Sequence, residues 1–179
     1  AAEVAAVDVK VLIEKNPKVA EVAVARTGAR CFGALEEVLA ALRRGEGPPR
    51  TRGAIITQPC TPFSSASGFR GLGEHDSRDI TALVAEFVQI TRPEWLLVEN
   101  VPEYEGSVSC RRLVNVMTGG GYRISKFCRN ARESGGNSNR YRFFVAAVVE
   151  EAAASRVAPF PPVRAGGKVG DCMYEEEDS

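Results

Sequence analysis

Apolar residues in this chain fall into short unbroken runs separated by stripes that repeat every three or four positions, the two patterns of buried strands and amphipathic helices. "VDVKVLI" (7–13) reads as a buried strand ending at Glu14-Lys15-Asn16. Asn16 suits an N-cap, Pro17 the first helical position and Gly28 a helix stop, with Val19, Val22, Ala23 and Arg26 on one face between them. A short strand near 29–32 follows, then a helix over 35–44 with Leu35, Val38, Leu39 and Leu42 as its core stripe and Gly45 as its stop. "GEGPPRTRG" (45–53) is a loop and "AIIT" (54–57) the next strand. Beyond the polar stretch after it, 78–93 reads as a helix ended by Pro93, and "WLLV" (95–98) as a strand with Glu99 and Asn100 at its carboxyl end. A helix over 109–121 stops at three glycines, and 122–128 and 142–149 are strands. Strands alternating with helices, and apolar without interruption, predict an open, doubly wound α/β sheet buried on both faces. Such sheets bind ligands outside the carboxyl ends of their strands, where Glu14, Cys60 and Glu99 fall. From residue 152 the chain is rich in Pro, Gly and acids and reads as a linker or tail.

Composition narrows the class. The 179 residues are 44% hydrophobic and 26% charged, with 23 basic and 23 acidic side chains, as in a globular domain or one lobe of a larger one. The zero net charge removes the global signature of a nucleic-acid binder but hides a local excess. Residues 123–142 carry Arg123, Lys126, Arg129, Arg132, Arg140 and Arg142 against the single acid Glu133, a pattern that suits a polyanion or a solvated face. Five cysteines without C-x-x-C spacing, and a single histidine, argue against a disulfide framework or a zinc site and for a reducing, intracellular compartment. No apolar run is long enough to span a membrane and no signal peptide is legible. The opening "AAEVAAVDVK", without a methionine, reads as an internal start.

Three places carry chemistry. Cys60 follows Pro59 where the strand at 54–57 gives way to the polar loop "TPFSSAS". A thiol there is partly exposed and fixed in direction, as a nucleophile requires, although a small residue filling a turn has the same look. Glu99 and Asn100 end an apolar strand, where a desolvated carboxyl group can carry a proton; an ordinary strand-end acid facing water is the plainer reading. Arg140 and Arg142, two apart at the start of a strand, predict a cationic pair on one face, suited to an anion.

Pro59-Cys60 with Phe63-Ser64, Asp76-Ser77-Arg78, Glu99-Asn100-Val101 and Arg140-x-Arg142 before an apolar strand occur in that order. Together they resemble the cytosine-C5 methyltransferase family, from about residue 7 to residue 150. The resemblance implies a Rossmann-like, S-adenosylmethionine-dependent methyltransferase fold with a doubly wound, mostly parallel sheet. Residues 1–150 would be part of the catalytic domain, and 151–179 a linker and acidic tail leading towards a target-recognition region. Cys60 would attack C6 of a cytosine flipped out of DNA, with tRNA as the alternative substrate. Glu99 would donate to N3, Asn100 brace the loop, and Arg140 and Arg142 stabilise the ring carbonyl side or a phosphate. Glu14, by holding the ribose hydroxyls, together with Leu35 and Pro59, would bind S-adenosylmethionine; no metal is implied. The compartment would be the nucleus in a eukaryote and the cytoplasm in a bacterium.

The chain also departs from the family pattern. The family's first strand and Phe-x-Gly-x-Gly loop have no counterpart, and Ala34-Leu35 stands where Asp usually precedes a hydrophobic residue. Lys15 replaces a large apolar residue, Thr61 a Gln, and Ser138 another Gln. Because that first strand lies between the strands ending at Glu14 and Cys60, strands near 9–13 and 54–57 are expected to be separated or abnormally paired. The isolated chain is expected to bind S-adenosylmethionine weakly or not at all. An inactive, truncated methyltransferase-like binding module is therefore a second reading. A dinucleotide-binding dehydrogenase is not, since no G-x-G-x-x-G follows a strand.

Overall fold

The computed structural model describes residues 8–64, 78–134 and 137–150. They divide into two compact units between Thr51 and Arg52.

The first unit is a β-α-β-α run. Strand β1 (Val11–Leu12) pairs in parallel with β2 (Arg30–Cys31), Val11 opposite Arg30 and Leu12 opposite Cys31. Helix α1 (Pro17–Thr27) starts as its sequence predicts: the Asn16 side chain accepts from Lys18 N–H, and Pro17 needs no donor of its own. It ends at Gly28, whose φ of 68° lies in the left-handed region and whose N–H reaches the Val24 carbonyl. Its expected apolar face is not inward, because Val19 and Val22 are each half-exposed and no α1 residue is fully buried. Ala20, Ala23 and Val24 are the partly covered positions instead. Helix α2 (Leu35–Arg43) behaves as expected, with Val38 and Leu39 buried and Leu35 and Leu42 half-buried. Burial of each of the first two contributes roughly 1.5–3 kcal/mol.

The second unit is a four-stranded sheet in the order β3 (Gly53–Ile56), β4 (Trp95–Asn100), β6 (Tyr141–Val149), β5 (Tyr122–Asn130). β3 and β4 are parallel, from Gly53 opposite Trp95 to Ile56 opposite Val98. β6 runs antiparallel to both neighbours, so the described residues carry two parallel and two antiparallel pairings. Helices α3 (Thr81–Thr91) and α4 (Val108–Gly119) pack against each other, and α4 against β5. Each buries one stripe: Thr81, Val84, Ala85 and Val88 in α3, and Ser109, Cys110, Leu113 and Met117 in α4. Ser107 caps α4 by accepting from Cys110 N–H while donating to the Tyr104 carbonyl. Asp79 accepts from Thr81 N–H at the start of α3 and from the Ser109 hydroxyl at the start of α4, tying the two helices together.

One sheet face is fully buried, with Leu96, Val98, Phe143, Val145 and Ala147 at 1% exposure or less. The other is only partly covered: Trp95, Leu97, Glu99 and Phe144 are half-buried and Ile55 is 57% exposed. Burial on both faces, expected from the unbroken apolar runs, thus holds fully on one side and on the other only at Ala146 and Val148 of β6. The strands at 11–12 and 53–56 belong to different sheets, consistent with the expected separation. Asp76 and Ser77 and the tail beyond residue 150 lie outside the described residues.

Two buried acids of the core set its behaviour in alkali. Burial, aided by nearby Glu105 and opposed by Lys126 and Arg111, pushes the Cys110 thiol from 9.0 up to about 11, and burial raises Tyr104 above its usual range. The folded thiol therefore keeps its proton at a pH where the unfolded one has lost it. The stability this thiol contributes is fully present below pH 9 and is lost as the pH rises through about 11. A melting-temperature series in buffers from pH 8 to 11 should show this decline, and Cys110→Ala should reduce its steepness.

Candidate active site

The carboxyl ends of the parallel pair β3 and β4 lie side by side, and the sequence puts its reactive residues just there. Past Ile56, residues 57–59 lead into a tight turn in which Phe63 and Ser64 both donate their N–H to the Cys60 carbonyl, at 2.9 and 3.0 Å. The turn is pinned from below. Phe63 is 1% exposed, and its ring meets Tyr104 edge to face at 4.8 Å, with Phe143 beyond at 6.4 Å. Pro62 is buried as well, whereas Pro59 is exposed and Cys60 is intermediate. A partly exposed cysteine on a turn anchored by an aromatic residue is held in direction yet open to a reactant.

Glu99 and Asn100 belong to β4 itself rather than following it, so their side chains take opposite faces of the sheet. Glu99 is on the partly covered face. Its Oε1 lies 2.8 Å from Nε of Arg142, with the two side chains 26% and 21% exposed. Register explains the meeting. Glu99 opposes Phe144 on β6, and Arg142 sits two residues back on the same face, the diagonal position across an antiparallel pair. The carboxyl group expected to be desolvated is thus paired with a guanidinium and partly exposed. Asn100 is on the buried face at 1% exposure, its Oδ1 accepting from Val101 N–H at 2.8 Å, so it braces the turn leaving β4.

The expected cationic pair is not a pair. Arg142 lies within β6 and also donates from Nη1 to the Tyr141 carbonyl, whereas Arg140 precedes the strand and is exposed. What holds Arg140 is its backbone, donating to Asn130 Oδ1 at 3.2 Å. Asn130 was not among the candidates. Its side chain also accepts from Arg132 N–H and donates to the Asn139 side chain, closing the 130–140 connection. A lone Asn where a strand meets a polar loop is the trace it leaves in sequence.

Gln58, Thr81 and Tyr104 were missed too. Gln58 is 6% exposed; its Oε1 accepts from the Thr81 hydroxyl at 3.3 Å, and the same hydroxyl is 3.3 Å from the Tyr104 hydroxyl. The amide NH2 groups of Gln58 and Asn100 have no hydrogen-bond partner among the described residues. A groove of about 470 Å3 lined by Val88, Arg92, Asn115 and Tyr122 lies at the opposite, amino edge of these strands, away from Cys60 and Glu99.

The residues assigned to a cofactor are placed as follows. Glu14 follows β1 and its Oε1 accepts from Asn16 N–H at 2.7 Å, while Cys31 donates its thiol to the Glu14 carbonyl. Leu35 is the first residue of α2, reached through Gly33 at a φ of 73°, where a Cβ would fall 2.8 Å from Glu37 Oε2. Ala34, the N-cap of α2, has extended φ and ψ of −75° and 148° but no side-chain acceptor for the first-turn N–H groups. An acid beyond a parallel strand end suits a ribose diol; an alanine at 34 offers nothing to an adenine amine. Since the Ala34 backbone already has cap geometry, Ala34→Asp should stabilise the protein by about 1 kcal/mol, read as a melting temperature about 2–4 °C higher. No rise would mean that the first-turn donors of α2 are satisfied without a cap.

Comparison with curated proteins found no match. Solved structures share the fold. An Entamoeba histolytica methyltransferase, EhMeth, superposes with a TM-score of 0.62 at 16% identity, over 78% of this chain and 44% of that one. The Dnmt2 methyltransferase of S. pombe gives 0.58 at 17% identity, over 90% and 49%. A putative DNA modification methyltransferase encoded within an E. coli prophage gives 0.59 at 22%, over 82% and 41%. The chain thus spans less than half the length of each of these proteins. Residues 53–166, well over half of the sequence, match the family described as C-5 cytosine-specific DNA methylase, so the segment holding Cys60, Glu99 and Arg142 is itself the matched one, and the chain belongs to that family.

Proposed function

We propose that this protein methylates C5 of cytosine in DNA through a covalent adduct at Cys60. The observation that carries the reading is the partly exposed Cys60 on its pinned turn, beside a β4 whose Glu99 is held by Arg142. Cytosine C5 is a weak nucleophile. Loss of the thiol proton to solvent and addition of the Cys60 sulfur to C6 forms an S–C bond and moves the C5=C6 electron pair onto C5. Negative charge then spreads towards N3 and O2. Arg142 orients Glu99 through Oε1, which leaves Oε2 to take a proton from solvent and pass it to N3, and the guanidinium offsets the charge on the carbonyl side. Glu14 and Leu35 would help to hold S-adenosylmethionine, which when bound supplies a methyl group as an electrophile for C5. Loss of the C5 proton to solvent and return of the N3 proton to Glu99 restore the double bond and expel the thiolate. A stacked base cannot reach a thiol in this position, so the cytosine is flipped, at a cost of a few kcal/mol.

The test is to trap the protein on duplex DNA carrying 5-fluorocytosine, with S-adenosylmethionine present, because fluorine cannot leave C5 as a proton does and the adduct persists. A stable protein–DNA adduct mapped to the peptide containing Cys60 is expected. An adduct on an RNA hairpin but not on DNA would reassign the substrate, and none on either would leave a binding module in place of an enzyme.

A further inference from the structure

Beside the Glu99–Arg142 pair the partly covered sheet face continues into a second cationic position. Arg129 of β5 stands directly opposite Arg142 in the register of the antiparallel pair, so both side chains leave the same face about 5 Å apart at Cβ. Like charges in that position are unfavourable. Each is supported by different chemistry. Arg142 is paired with Glu99, while the Arg129 guanidinium lies over the Phe127 ring, 5.7 Å from its centroid. Phe127 in turn stacks on Phe144 at 5.3 Å and 20°, and Phe144 is the register partner of Glu99. The result is one row of Glu99, Phe144 and Phe127, edged by a row of Arg142 and Arg129. Residues 123–142 carry six cations and one acid in sequence, and exposed Arg132 and Arg140 follow on the connection that Asn130 closes. Two arginines in register on one sheet face, one of them propped on an aromatic ring, suit a polyanion that crosses that face.

We propose that Arg129, seated on Phe127, is a nucleic-acid positioning residue that binds a backbone phosphate of the strand whose cytosine is presented to Cys60. The assignment rests on the reaction proposed above and goes beyond it by naming where the phosphodiester chain crosses the protein. Its recognition chemistry is the phosphodiester, which DNA and RNA share.

Salt dependence of binding reads such a contact directly, since each neutralised phosphate releases counterions. Affinities of the whole chain for duplex DNA and for an RNA hairpin would be measured without cofactor between 50 and 300 mM salt. Arg129→Gln should lower the slope of log K against log salt by about 0.9 on B-DNA and weaken binding at 0.1 M by roughly eightfold, with the melting temperature not reduced. On RNA the same variant should show a smaller change if DNA is the polymer that crosses there. The control is Lys126→Gln, because Lys126 is on the other face of β5, 3.5 Å from Glu105, and should leave the slope unchanged. An unaltered slope for Arg129→Gln, with adduct formation intact, would overturn this proposal and leave the proposed reaction standing. Wild-type protein that binds neither polymer in a salt-dependent way would overturn both.

Discussion

Cys60→Ser should abolish both the covalent adduct and methyl transfer, with turnover reduced by at least about a thousandfold. The two side chains are nearly the same size, and the turn around residue 60 is held by elements the substitution leaves alone: the Phe63 and Ser64 N–H bonds to the Cys60 carbonyl and the burial of Phe63. What changes is the nucleophile. A thiol ionises within reach of neutral pH and a serine hydroxyl does not, so addition to C6 loses its first step. Melting temperature and nucleic-acid affinity should stay close to wild type, which separates loss of chemistry from loss of fold. Cys31, Cys110 and Cys128 provide the comparison, since none of them follows β3. Cys128→Ser should leave the adduct at its wild-type yield. Persistence of the adduct in Cys60→Ser would remove Cys60 from the role and with it the proposed reaction.

The residues that were easiest to assign from sequence are those whose effect is local. Asn16, Pro17 and Gly28 bound a helix through bonds that reach no further than four residues, and the structure starts and ends α1 at those positions. The strip Leu35, Val38, Leu39 and Leu42 likewise needs only helical periodicity to be read. Burial is less local. Val19 and Val22 repeat at helical spacing as well as any core pair, yet an apolar stripe is buried only where another element covers it, and nothing within 16–28 says which one does. The same holds for Ile55 on its sheet face.

The site divides along the same line. Cys60 was legible because a proline-flanked cysteine at a strand end is unusual chemistry in a short window. The Glu99–Arg142 contact was not legible, because it depends on the register between β4 and β6, and a one-residue slip would send Arg142 to the other face. Arg140 and Arg142 looked like a pair because alternation was assumed to extend through both, but the strand begins at Tyr141, and Asn130 governs the backbone before it. Gln58, Thr81 and Tyr104 became visible only once three distant stretches of chain met in the buried face.

That register is what makes Glu99→Gln informative. Glutamine keeps the shape of the side chain and, with its carbonyl oxygen, can still accept from Arg142 Nε, so the substitution removes the oxygen that takes up and delivers a proton while preserving the contact. Both partners are about a quarter exposed, and an ion pair in that setting contributes on the order of 1 kcal/mol or less, so the fold should survive. Turnover should fall by about 10²- to 10⁴-fold, the range of a positioned acid that acts on the developing charge at N3. Affinity for duplex DNA should change by no more than about threefold, since the proton is needed in the transition state and not in the ground-state complex. Arg142→Gln should lower turnover too, by releasing Glu99 from its orientation, and the double variant should be little worse than Glu99→Gln alone, because Arg142 acts largely through Glu99, 2.8 Å away, and groups in contact are not additive. The measurement is single-turnover methyl transfer alongside equilibrium binding for all four proteins. Equal losses of rate and affinity in Glu99→Gln would make Glu99 a binding residue, and additive losses in the double variant would make the Arg142 contact incidental to the chemistry.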